Sequence, residues 1–111
     1  MFSEFRLEVC IPIDYFNDFL RKLKGQPIGI IGNYIECKFW NEVQSSWIVN
    51  EDTNPFLGNP GEEFSTKEKK LSFKCLKKDV LDVVSHIKKI HPYEEIGLDI
   101  IPLVDLDYFK E

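Results

Sequence analysis

A run of apolar residues at helical spacing, Val80, Val83, Val84, Ile87 and Ile90, stops at His91-Pro92, and an apolar strand pattern begins shortly afterwards at Leu98. A residue that precedes proline is pushed out of the α region, so the helix has to end near His91. The corner that follows, His91-Pro92-Tyr93-Glu94-Glu95, crowds an imidazole, a phenol and paired carboxylates into consecutive positions. A helix, a polar corner and a strand in that order restrict the fold more than any other stretch of the chain.

The remaining elements follow from periodicity. Phe5, Leu7, Val9 and Ile11 alternate with polar neighbours up to Pro12, which is the pattern of a strand with one buried face. Asp14 is placed to cap a helix whose face is Phe16, Phe19, Leu20 and Leu23, with Lys22 and Lys24 at its C-terminal end and Gly25 as its stop. Ile35, Cys37 and Phe39 alternate again, which predicts a strand over 34–39 with Cys37 in the core. Trp47, Ile48 and Val49 predict a second short strand, with a hairpin turn over 41–46 between the two. Residues 50–66 carry Asn54-Pro55, Gly58 and Pro60-Gly61 and read as an ordered loop anchored by Phe56, Leu57 and Phe64. Leu71, Phe73 and Cys75 mark the next strand, the helix from about Lys78 follows, and 98–103 is the last strand, apolar on both faces. This order predicts an α+β chain with the ferredoxin-like split βαβ arrangement: an antiparallel sheet with both helices on one face, and Arg6, Glu8, Ser72 and Lys74 on the other, with Glu36 and Lys38 beside them.

Length and composition set outer limits. A chain of 111 residues suits a single domain, 1–111, and 43% hydrophobic with 30% charged residues is a globular composition. The net charge of −5, with basic residues only in short clusters, argues against nucleic acid, and nine Phe, four Tyr and two Trp are not interleaved with Arg or Lys as a nucleic-acid platform would be. No apolar run approaches the ~20 residues of a membrane span, and Glu4, Arg6 and Glu8 interrupt any signal-peptide core. The three cysteines, Cys10, Cys37 and Cys75, form no Cys-x-x-Cys pair. Reduced thiols and a cytoplasmic location are the expectation.

Candidate chemistry is sparse. His86 and His91 are spaced so that a helix does not bring both imidazoles to one side, and His86, off the apolar stripe, reads as solvated. A metal-binding alternative uses His91, Glu94 and Cys37; otherwise His91 serves as the hydrogen-bonding end of the helix. Glu94 and Glu95, adjacent in an extended segment, point to opposite faces and make no natural acid–base pair. Cys37 in the core is expected to be inert. Asn33 and Tyr34 follow Gly32, where Asn either caps a strand entrance or lines a cleft. The candidate ligand-binding set is therefore Asn33, Tyr34, His91, Tyr93, Glu94 and Glu95. No catalytic residue and no cofactor is predicted.

Ile31-Gly32-Asn33-Tyr34 with Cys37, Asn54-Pro55-Phe56-Leu57-Gly58, and the His91–Glu95 corner with Pro102-Leu103 occur in the order and at about the spacing of the YqfO-like domain, which the chain resembles from about Phe5 to Leu103. In proteins related to the yeast NGG-interacting factor this domain is inserted mid-chain; here it reads as the standalone form. His91 to Glu94 and the Ile100-Ile101-Pro102 segment also resemble the CutA family and, through it, the PII-like signal proteins. The sequence departs from the YqfO-like pattern at 41–47, where the expected glycine-rich hairpin has no glycine. The resemblance implies that the two-metal chemistry of longer relatives, some labelled GTP cyclohydrolase, resides in flanking domains outside this sequence. It implies a CutA/PII-like fold that assembles as a homotrimer, while the doubly apolar last strand by itself calls only for self-association, which a dimer also satisfies. The expected function is a non-enzymatic, self-associating binding or regulatory module with a small-ligand cleft at the 91–95 corner, its ligand unknown. A CutA-like metal-binding protein using His91 and a nearby Glu is the alternative, and a small hydrolase-like enzyme ranks third.

Overall fold

The structure is a computed structural model that describes residues 2–50 and 58–110. Its elements are β1 (Glu4–Pro12), α1 (Ile13–Leu23), β2 (Phe39–Ile48), β3 (Glu63–Leu76), α2 (Val80–Ile90) and β4 (Leu98–Leu103), with single 3₁₀ turns at Lys77–Asp79 and Leu106–Phe109. The strands form one antiparallel sheet in the order β2-β3-β1-β4. This is the ferredoxin-like arrangement that the sequence pattern predicts.

Alternation along β1 decides which face is buried. Leu7, Val9 and Ile11 point into the helix layer, where they meet Leu71 and Phe73 of β3, Phe16, Phe19 and Leu23 of α1, and Val83 and Ile87 of α2. Leu20, Val80, Val84 and Ile90 pack at the margin of this core. The opposite face carries Arg6 and Glu8 with Ser72 and Lys74; Arg6 donates to Ser72 Oγ at 3.0 Å and lies over the Phe39 ring. Glu36 and Lys38 do not join that face, because they precede β2.

Several local expectations are corrected. Asp14 does not cap α1: the helix starts at Ile13 after Pro12, and no side chain caps it. Proline supplies the fixed φ of an entry position, and Asp14 acts instead as a first-turn anion. The strand expected over 34–39 does not form, only Phe39 of it lying in a strand, and 41–46 is not a turn. β2 is one continuous strand paired with β3 from Phe39↔Ser72 to Ile48↔Glu63. The absence of glycine over 41–47 has a simple reason, since no chain reversal occurs there. Ile35 and Phe39 are exposed and Cys37 is half-buried, so this alternation does not mark a core. β3 begins at Glu63, inside the segment expected to be a loop, and its Phe64 packs on Trp47. Asn54, Pro55, Phe56 and Leu57, expected as part of that loop's anchoring, lie outside the described residues. His86 is not merely solvated. Its Nε2–H donates at 2.7 Å to the Lys22 carbonyl, one of the acceptors left over at the end of α1.

The β2–β3 ladder outruns the rest of the sheet. β1 pairs with β3 only as far as Pro12↔Glu68, whereas β2 continues with β3 to Glu63. Residues 44–48 and 63–67 therefore form a two-stranded arm. The radius of gyration, 16.0 Å, exceeds the roughly 13 Å expected of a rounded chain of this length. Among the described residues no helix is long and apolar enough to cross a membrane.

The helix assignment is tested by stability. Phe19, fully enclosed between sheet and helices, loses about 3–5 kcal/mol on change to Ala, while Leu81→Ala, at an exposed position of α2, stays within about 0.5 kcal/mol. Urea titration of both variants checks the difference, and similar losses would show that the helix faces are assigned wrongly.

Candidate functional site

The 91–95 corner lies where α2 ends, beside the end of β1. His91 takes an extended conformation (φ −78°, ψ 138°) and closes the helix through its backbone N–H to Ile87. Its side chain is buried and both ring nitrogens are engaged. Nδ1 accepts the Tyr93 N–H at 3.1 Å, which leaves Nε2 as the protonated nitrogen, donating to the Cys10 carbonyl at 2.7 Å. Tyr93 then reaches across to β3, where its O–H donates to Glu68 Oε2 at 2.6 Å.

Glu68 was not among the residues singled out from sequence. It sits in the run Lys67-Glu68-Lys69-Lys70, which reads as solvated charge, yet it is only 3% exposed. The signal that could have found it is the alternation of Leu71, Phe73 and Cys75 carried toward the N-terminus, which makes Glu68 a strand residue opposite Pro12.

Aromatic rings continue the corner in both directions. His91 lies edge-on to Phe19 of the core at 5.9 Å and 4.9 Å from Tyr93, Tyr93 is edge-on to Trp47 at 5.9 Å, and Trp47 contacts Phe64 at 5.2 Å. A continuous pile of rings thus joins α1 to the β2–β3 arm through the corner. Glu94 and Glu95 are exposed.

The electrostatics favour neutral forms. Burial, opposed by the Cys10 carbonyl and the Glu68 carboxylate, holds the His91 imidazole below its ordinary value. Burial and then the Glu68 carboxylate push the Tyr93 phenol up, and the same causes raise the Cys10 thiol. Burial, with Asp79 adding, pushes Cys75 up to about 11. Neither of these thiols is an activated nucleophile at neutral pH. All three cysteines are free.

Asn33 and Tyr34 are not brought to this corner within the chain. Ile31 and Tyr34 exchange backbone hydrogen bonds at 2.9 Å around Gly32 and Asn33, and positive φ at Gly32 (57°) makes this a tight turn of the type II′ kind. Behind it, Gly29 N–H donates to Lys74, and the Cys37 backbone approaches Gly29 so closely that a Cβ there would stand 2.1 Å from the Cys37 carbonyl oxygen. Only glycine fits. Glu36 also holds positive φ, at 55°. The turn and Cys37 therefore lie at the Lys74 end of β3, whereas Cys10, bonded to His91, pairs with Lys70. The two ends are separated by roughly 13 Å or more of strand. Among the described residues no group of His, Cys, Asp and Glu gathers at metal-ligand spacing.

The His91 geometry predicts a pH dependence with a definite sign. An imidazole held below the ~6.5 of the unfolded chain stabilises the fold fully above that value, and the contribution is lost as pH falls from there through the folded value. His91→Asn, which keeps an acceptor for the Tyr93 N–H, should show a smaller fall in urea midpoint between about pH 7 and pH 5 than the unchanged chain. At pH 7.5, His91→Ala should cost about 2–3 kcal/mol and His86→Ala under about 1. Equal costs would reduce the corner to a surface turn.

No family model matches the chain. In sequence it is 31% identical over 103 residues to a GTP cyclohydrolase 1 type 2 homolog of Halalkalibacterium halodurans, a match that covers 93% of this chain and 28% of that protein. The chain spans about a quarter of the length of the relatives it matches in this way, 28% and 26% of two of them. In structure it aligns with a Bacillus cereus protein related to NIF3 at a TM-score of 0.80 and 22% identity, over 94% of this chain and 26% of that one. The divalent ion tolerance protein CutA1 from Ehrlichia chaffeensis aligns at a TM-score of 0.67 and 16% identity, over 95% of this chain and 85% of CutA1. The resemblance seen in the motifs therefore holds over most of the chain, which is similar in sequence to one segment of the GTP cyclohydrolase 1 type 2 homologs and shares its fold with a segment of the NIF3-related protein and with CutA1.

Proposed function

We propose that the chain is a non-enzymatic, self-associating binding or regulatory module of the cytoplasm, whose site is the His91–Tyr93–Glu68 corner. The observation that carries this reading is apolar surface on both ends and both edges of the sheet. Tyr34 and Ile35 are 73% and 71% exposed beside the start of β2, Ile48 is 69% exposed on the arm, and Ile101, Leu106, Tyr108 and Phe109 are exposed on and after β4. A single large apolar side chain gains roughly 1.5–3 kcal/mol on burial, and a two-stranded arm is marginal by itself in water. Association of copies through the edges and the arm answers both deficits. The resemblance to CutA favours a trimer, and a dimer meets the same physical requirement. In an assembly, Asn33 and Tyr34 of one copy can approach the corner of another, which is how the residues separated within a protomer could share one small-ligand cleft with Glu94 and Glu95.

Catalysis finds no support in the corner. Its histidine has both nitrogens hydrogen-bonded, its phenol and the neighbouring Cys10 thiol are held protonated, and the cyclohydrolase in the relatives' name belongs to proteins of which this chain matches about a quarter. The metal-binding alternative, with His91, Glu94 and Cys37 as ligands, would require His91 to give up a hydrogen bond and Cys37 to come from another copy.

Two measurements test the reading. Light scattering at micromolar concentration should give a multiple of the 13.0 kDa chain mass, three times for the trimer, and a mass of one chain would overturn self-association. Calorimetric titration of chelator-treated protein with Cu²⁺ or Zn²⁺ should show no stoichiometric binding; one tight ion per chain that is lost in His91→Asn would favour the metal reading instead.

A further inference from the structure

Tyr93 occupies a position that the binding role of the corner does not require. Its hydroxyl reaches Glu68, which is the last residue of β3 still paired with β1 and hence the root of the arm. Its ring meets Trp47, which pairs with Phe64 well out along the arm. Its backbone N–H is held by His91. One side chain thus ties the end of α2 to both the root and the outer part of a two-stranded ribbon that has lost its β1 neighbour. Glu68, 3% exposed, has its carboxylate bonded by this phenol.

We propose that Tyr93 is a clasp that seats the β2–β3 arm, so that the corner sets the position of the arm and, through it, the strength of self-association. Regulation by this device rests on the self-association proposed above; the clasp itself does not. The physical case is one of leverage. Within the ribbon, hydrogen bonds fix β2 against β3, but they do not fix the ribbon's angle to the remainder of the sheet once β1 ends at Pro12. Contacts from outside the ribbon have to do that, and Tyr93 makes one at each end of it. A buried carboxylate also opposes any movement that strips it of its donor, because an unpaired charge is costly in a water-poor setting. The clasp is therefore either made or broken, with little advantage to intermediate positions. Whatever occupies the corner and displaces Tyr93 frees the arm at the same moment. Tyr93 and Glu68 are positioning residues in this scheme.

The test is amide hydrogen exchange on the full chain with Tyr93→Phe, Glu68→Gln and Glu68→Ala, together with the concentration dependence of mass. Glu68→Gln keeps an oxygen that accepts the phenol, so its arm should exchange as in the unchanged chain. In Tyr93→Phe and Glu68→Ala the amides of 44–48 and 63–67 should exchange at least about tenfold faster, while those of α1 and β1 stay within about twofold. The half-dissociation concentration of the assembly should rise at least about tenfold in the same two variants and not in Glu68→Gln. Unchanged arm exchange in Tyr93→Phe would overturn the clasp, as would equal acceleration throughout the chain, which would mark the contact as merely stabilising. Faster arm exchange in a chain that is monomeric at every concentration leaves the clasp standing and overturns the self-association reading alone.

Discussion

The imidazole of His91 is the junction on which the rest of the site depends. Its residue's backbone N–H closes α2 on Ile87, while the ring reaches the backbone of β1 through Nε2 and holds the Tyr93 amide through Nδ1. A neutral ring with one donor and one acceptor is the side chain that meets a carbonyl on one side and an N–H on the other. Proline at the next position ensures that the chain leaves the helix here, and the ring, edge-on to Phe19, is buried. Each contribution is small. Together they fix where Tyr93 begins, and so where its hydroxyl ends.

From that junction the structure divides into a closed half and an open half. The helix layer and the inner face of the sheet enclose a core with its largest side chains fully buried. The arm, the edges and the 3₁₀ turn at Leu106–Phe109 keep aromatic and aliphatic groups in solvent. β2 and β3 run through both halves, so the difference is not one of secondary structure. It arises because a four-stranded sheet with both helices on one face has an outer face and two edges that its own chain does not cover.

The comparisons bear on fold and ancestry in unequal measure. Sequence identity near 31% with part of a longer protein supports a common domain, and TM-scores of 0.80 and 0.67 support a common architecture at identities too low to carry chemistry. Divalent-ion tolerance and cyclohydrolase are words attached to those proteins.

The sequence by itself determined β1, α1, α2 and β4 and their order, the buried faces of β1, α1 and α2, and the end of α2 at His91, because each of these is written in a repeat of two or of three to four residues or in a single proline. The same rule misled at 34–47. Ile35 and Cys37 alternate with polar neighbours ahead of any strand, and Asn41, Gln44, Ser45 and Ser46 within the edge strand β2 imitate a turn. Only the tertiary structure decided the partners that define the site. Glu68 bonds Tyr93 from 25 residues away, and His91 bonds Cys10 from 81 away. The same holds for the separation of Asn33 and Tyr34 from the corner, which depends on the end of β3 against which the turn over 31–34 is pinned. Local patterning records whether a side chain is buried, but not which distant group it meets, since that depends on the order and register of the strands.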